Sequence, residues 1–111
     1  MQARRIAQTT KELIEDKKGE DPVMLDISKQ TSIAHFFVIT HGNSAPHVRA
    51  IAEHVMESMK KKKIPVFHKE GLEAAEWVLL DFGSVIVHVF HKDKREFYSL
   101  ESLWGNSRSS R

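Results

Sequence analysis

The chain has 111 residues, 41% hydrophobic and 29% charged, with a formal net charge of +2; that length holds one domain with its own core, and so small a charge does not mark a nucleic-acid binder by itself. The absence of cysteine excludes disulfides and thiolate metal sites and gives no sign of a secreted protein. No run approaches the roughly 20 apolar residues of a membrane span, and the opening MQARRIAQTTKELIEDKK lacks the apolar core of a signal peptide, so a cytoplasmic protein is expected.

Residues 3–17 carry Ile6, Ala7, Thr10, Leu13 and Ile14 at helical spacing, with Gly19 as the stop. Glu20-Asp21-Pro22 reads as a connection and Val23–Ile27 as a short strand. Asp26 interrupts that strand; a strand-end acid bonding nearby backbone is the ordinary reading, a metal or substrate carboxylate the sharper one. Ile33–Thr40 reads as a second strand, broken at His41-Gly42-Asn43-Ser44. The clearest helix follows, with Val48, Ile51, Ala52, Val55, Met56 and Met59 on one stripe. Asn43 or Ser44 suits its N-cap, Pro46 its first turn, and Lys60–Lys63 its C-terminal end. Four lysines in a row also suit phosphate, though a solvated helix end is the ordinary reading.

Val66-Phe67-His68 predicts another short strand, ending near Lys69-Glu70-Gly71, and Leu72–Glu76 a linker or a turn of helix. Trp77–Phe90, WVLLDFGSVIVHVF, is the centre of the chain: two apolar runs around Asp81-Phe82-Gly83-Ser84 predict a β-hairpin. Alternation puts Trp77 and Leu79 on one face of the first strand, and Ile86, His88 and Phe90 on one face of the second. Both hairpin faces are apolar, so the face away from the helices needs a cover from the same chain, a second copy or a partner. His91–Lys94 reads as a polar turn, Arg95–Tyr98 as a last strand, and Leu100–Trp104 as a short helix capped by Ser99. Residues 105–111, GNSRSSR, are expected to be disordered. The fold class is α/β, a single domain with a mixed sheet and flanking helices.

Chemistry-bearing patterns are sparse. THGNSAPHVRA is a strand–Gly–Ser–helix passage of the kind that holds phosphate in nucleotidyl transferases. Those enzymes need two acids on a neighbouring strand for magnesium, and the next strand, PVFHKEG, has no such pair. The seven histidines form no His-Glu-x-x-His set. There is no Gly-x-Ser-x-Gly elbow and no RNA-module motif. The sheet face with Trp77, Leu79, Ile86, His88 and Phe90 remains, with the composition of an interface hot spot.

WVLLDFGSVIVHVF followed by REFYSLESLW resembles the signature of the ribosomal silencing factor family (RsfS, also called Iojap or DUF143), and DIS, HFFVITHGNSAPHVRAIAEHV and KEG resemble its other segments. The resemblance covers residues 3–104 and defines one domain over 1–104. It implies a fold like that of nucleotidyl transferases without the catalytic acids, and a protein that is not an enzyme and needs no cofactor. It implies binding to the large ribosomal subunit through its fourteenth protein, blocking the small subunit and slowing translation when nutrients are short. The sequence departs from the family pattern at His35 and Phe36, where Asp and Tyr are usual, and at Phe82 and Ser84, where Tyr and Asp are frequent. Matched by position, the resemblance and the strand alternation together put Trp77, Leu79, Asp81, His88 and Phe90 toward the partner, with Tyr98, Lys69 and Glu70 nearby. Two rival readings stand beside it: a nucleotide binder built on the Gly-Ser-helix passage, and a homodimer closed through a self-complementary sheet face.

Overall fold

A computed structural model describes residues 1–98 and 108–110. The order is α1 (Ala3–Asp16), β1 (Glu20–Asp26), β2 (Phe36–Gly42), α2 (Ala45–Lys61), β3 (His68–Glu70), β4 (Trp77–Asp81), β5 (Val85–His91), α3 (Lys92–Tyr98) and β6 (Arg108–Ser110). The strands form one mixed sheet in the order β3-β4-β5-β2-β1-β6. Among the described residues only β2 and β5 pair in parallel, from Phe36 opposite Val85 to Gly42 opposite His91; the other neighbours are antiparallel.

The helices sit where their apolar stripes require. Ile6, Ala7 and Ile14 of α1 pack with Val48, Ile51, Ala52, Val55 and Met59 of α2 against Val38, Val78, Leu80, Val85, Val87 and Val89 of the sheet. Burying each of the Val, Leu, Ile and Met side chains among these contributes about 1.5–3 kcal/mol. Ser44 caps α2, its hydroxyl accepting from His47 N–H at 3.2 Å, and a proline stands in the first turn.

Both long helices end the same way. Lys18 and Lys63 adopt left-handed backbone, φ 58° and 66°. Gly19 N–H then reaches back to Ile14 O and Ile64 N–H to Met59 O, each at 2.9 Å. This double back-bonding satisfies carbonyls the helix leaves open. Gly19, expected as the stop, is therefore one residue beyond the left-handed position; a Cβ there would run into the Ile14 side chain.

Several boundaries differ from expectation. Glu20–Pro22 belongs to β1, which carries an irregularity between Glu20 and Val23 with Asp21 at φ 42°. A bulge of this kind is where a strand tolerates proline. β2 begins at Phe36 instead of Ile33 and runs on through His41 and Gly42. His35 and Phe36 N–H both bond Ser84 O, which fixes where pairing starts, and Ile33 is left exposed. The third strand lies at His68–Glu70, two residues later than expected at its start. Arg95–Tyr98 is helix, not strand. Lys, Arg and Glu favour helix there, and the helical turn swings Arg95 inward, where its guanidinium donates to Glu20 O at 3.2 Å and His41 Nδ1 at 3.0 Å. In the tail expected to be disordered, Arg108–Ser110 pairs with Met24–Asp26 and covers the edge that β1 would otherwise present. The short helix expected at 100–104 lies outside the described residues.

Candidate partner-binding face

The hairpin turns at Phe82-Gly83-Ser84. Phe82 N–H bonds Val85 O at 2.9 Å, Gly83 sits at φ 88°, and the Asp81 carboxylate accepts Gly83 N–H at 2.7 Å. That turn sets a register in which Trp77 faces Phe90, Leu79 faces His88 and Asp81 faces Ile86. Directly paired residues share a face, so all six lie on the side away from α1 and α2. The rows continue across the sheet. Glu70 pairs with Leu79, and His88 with Ile39; Ile86 pairs with Phe37. Lys69 pairs with Leu80 and so points to the helical side, where it shares an open groove with Glu53, Met56 and Lys60. The structure thus separates Lys69 from the other candidates. Tyr98 is the last residue of α3, and its side chain is outside the described residues.

Burial divides the face further. Phe90 is 0% and His88 3% exposed, and Phe37, Ile39, Val23 and Leu25 are buried with them. Trp77, Leu79, Asp81 and Ile86 are half-buried, and Glu70 is exposed. The chain itself covers most of this face and leaves a half-exposed strip along β4. His88 and Phe90, expected as direct contacts, lie behind the accessible strip.

They hold that strip in place. The Trp77 ring stacks on Phe90 at 5.2 Å between centroids. Its indole N–H donates to His88 Nδ1 at 3.0 Å. An indole nitrogen only donates, so Nδ1 accepts and the imidazole proton resides on Nε2. The Phe37 ring meets His88 edge-on at 4.6 Å. Burial holds the imidazole neutral and pushes its pKa down to about 3. Among the described residues Nε2 has no hydrogen-bond partner, so this pocket carries an unsatisfied buried donor. His88 is a positioning group for Trp77 instead of a charged contact. Phe37, Ile39 and Ile86 belong to the face but not to the candidate set; the β2–β5 pairing brings the first two there.

The other candidate sites resolve into local structure. Asp26 accepts from Ser28 N–H at 3.0 Å and from Ser28 Oγ at 2.6 Å, and these two bonds hold its carboxyl below the usual range. At the Gly-Ser-helix passage, Ser44 takes His47 N–H and the His47 ring accepts Asn43 N–H at 3.0 Å. A Cβ on Gly42 would meet Val48 N at 2.9 Å. The protein's own groups fill that helix start, leaving no phosphate cradle. Among the described residues no group of three or more His, Asp or Glu is placed to hold a metal ion, and no helix is long and apolar enough to cross a membrane.

A profile of the family described as "Ribosomal silencing factor during starvation" matches residues 1–111. The chain belongs to the ribosomal silencing factor family. It is therefore a non-enzymatic, ribosome-binding factor of translation regulation. It is similar to the silencing factor RsfS of Halalkalibacterium halodurans, 43% identical over 107 residues, covering 96% of this chain and 92% of that one. RsfS of Bacillus subtilis is 45% identical over 93 residues, covering 84% of this chain and 79% of the relative. A crystal structure of a Chromobacterium violaceum protein superposes with a TM-score of 0.92 at 38% identity, covering 95% of this chain and 88% of that one. The α/β mixed sheet with flanking helices is thus shared with a solved fold.

Proposed function

We propose that the chain silences ribosomes by binding the large subunit through its fourteenth protein, occupying the surface on which the small subunit docks, and so lowering translation when nutrients are scarce. The mechanism is steric and uses no cofactor. One observation carries the contact face: Trp77, Leu79 and Asp81 form a half-exposed strip along β4, beside Ile86, His68 and Glu70, with Phe37, Ile39, His88 and Phe90 buried next to it. Large apolar groups left accessible beside acids match the anatomy of an interface core with a polar rim. Asp81 and Glu70 give the strip a negative edge, which favours a basic patch on the partner.

Co-sedimentation with purified large subunits tests the reading. Leu79→Lys and Trp77→Ala are expected to weaken binding by about 2 kcal/mol or more, some thirty-fold. Lys69→Ala, on the opposite face, is expected to bind as the wild type does. Wild-type binding with no loss in either strip variant, both folded by circular dichroism, moves the contact elsewhere. The same reading treats the fold as kin to the nucleotidyl transferases with the paired acids gone. Millimolar nucleoside triphosphate with magnesium is then expected to leave Tm unchanged.

A further inference from the structure

The end of α1 meets the first half of α2. The start of α2 is tied to the end of α1 by His47 Nε2–H donating to Lys17 O at 2.8 Å, and its middle by His54 and Asp16 at 3.2 Å. The first turn of α1 lies at the end of the sheet where β2 begins. Arg4 is placed there, 5.1 Å above the ring of Phe36, the first residue of β2. The hairpin turn lies at the same end, since Ser84 O takes two N–H groups from His35 and Phe36. The segment leaving α2 reaches it too: Phe67 N–H bonds Asp81 O at 2.8 Å.

Arg4, Arg5, Lys60, Lys61, Lys62 and Lys63 are all exposed at this end. None forms an ion pair among the described residues. Asp26 is bonded to Ser28 and Asp81 to Gly83, while Glu53 and Glu57 line a groove with Lys60. Helix electrostatics explain part of the cluster only. Lysines in the last turn of α2 suit the dipole, but its effect falls off within that turn, and Lys62 and Lys63 lie at and beyond the cap. Arg4 and Arg5 stand at the wrong pole. The first turn of α1 carries no acid, and its N-cap Gln2 makes no side-chain cap bond. Two cations at a helix N-terminus oppose local stability. The Phe36 ring beneath Arg4 offsets part of that effect; Arg5 has no such contact among the described residues, and a local rule broken in this way marks a functional surface.

We infer that this end of the molecule binds RNA phosphate, as point charges on the backbone with no reading of bases. The inference rests on the ribosome-binding reading above, because the large subunit supplies the RNA. It gives the factor a second, salt-sensitive contact. The strip on β4 meets protein, and the basic end meets the nucleic acid beside it.

The test is the salt dependence of binding to purified large subunits. Wild type is compared with the fourfold Lys60–Lys63→Gln variant, with its Arg counterpart, and with Arg5→Gln. Removing one cation from its phosphate is expected to flatten the log–log salt slope by roughly 0.7–0.9. The fourfold variant is thus expected to flatten the slope by about three units and to bind at least about tenfold more weakly near 100 mM salt. The Arg counterpart is expected to retain both slope and affinity. Arg5→Gln is expected to bind more weakly while its Tm rises, a pairing that a purely structural role does not produce. If wild type binds while the Gln variants keep its affinity and slope, the basic end is a solvated helix end; the inference falls and the silencing function stands. If wild type itself fails to bind large subunits, both fall.

Discussion

Lowering the pH from 8 to 5 perturbs the centre of the candidate face through one group. His88 titrates near 6.5 in an unfolded chain and near 3 in the folded one, because burial excludes the charged ring. The folded value is the lower of the two, so between them the unfolded chain binds a proton that the folded chain refuses. Stability is therefore lost as pH falls below 6.5, and the loss continues toward 3. The limiting slope is about 1.4 kcal/mol per pH unit. Integrated from pH 8 to 5, it amounts to about 2 kcal/mol. With an unfolding entropy near 2.1 cal/mol/K per residue, that is roughly 9 °C of Tm. The control is His88→Asn, whose amide oxygen still accepts the Trp77 indole hydrogen but does not titrate. The pairs His54–Asp16, His68–Glu70 and His91–Asp93 are present in both chains and cancel in the difference. Urea unfolding at each pH unit is expected to show the two stability curves diverging by about 2 kcal/mol as pH drops to 5. Parallel curves would refute the buried, neutral imidazole and the tautomer argument built on it.

Trp77→Phe keeps a ring over Phe90 but removes the donor to His88 Nδ1; a cost of about 1–3 kcal/mol in urea unfolding is expected, with a changed His88 ring nitrogen shift by NMR. Gly71 stands at φ 85° with the Trp77 carbonyl against its α-carbon, so Gly71→Ala is expected to cost at least about 2 kcal/mol and to lower Tm. Lys18 holds the left-handed position after α1, and Lys18→Gly is expected to stabilise the fold by about 1 kcal/mol in chemical denaturation.

Elements whose local period agreed with their final surroundings were legible. The hairpin shows alternation between two turn residues, and α2 shows one apolar stripe with a cap and a basic end; both stand where the pattern puts them. Asp26 read as a strand-end acid is likewise an acid bonded to its own turn. What failed had no local mark. The parallel pairing of β2 with β5 joins segments far apart in sequence, so nothing in either announces that Phe37 and Ile39 complete the face. Arg95–Tyr98 contains strand formers and helix formers together, and the bonds from Arg95 to β1 and β2 settle it as helix. β3 is three residues long, too short for a period, so the opposite orientations of Lys69 and Glu70 appear only in the register with β4.

Alternation also told which residues share the far face but not which of them remain accessible. That distinction changes the mechanism. A partner gains free energy only from surface it can reach, and the accessible residues of this strip are Trp77, Leu79, Asp81 and Ile86. His88 and Phe90 act one layer behind, by a 3.0 Å hydrogen bond and a 5.2 Å stack that fix the Trp77 ring. A ring already held loses little freedom on docking, and reduced ordering cost is how such preorganisation raises affinity. Nε2, without a partner among the described residues, is the counterpart in stability: a buried donor left open costs about 1–3 kcal/mol, and the fold carries that cost where it orients the accessible tryptophan. Substituting His88 is therefore expected to weaken large-subunit binding less than Trp77→Ala does, because it loosens a contact that Trp77→Ala removes.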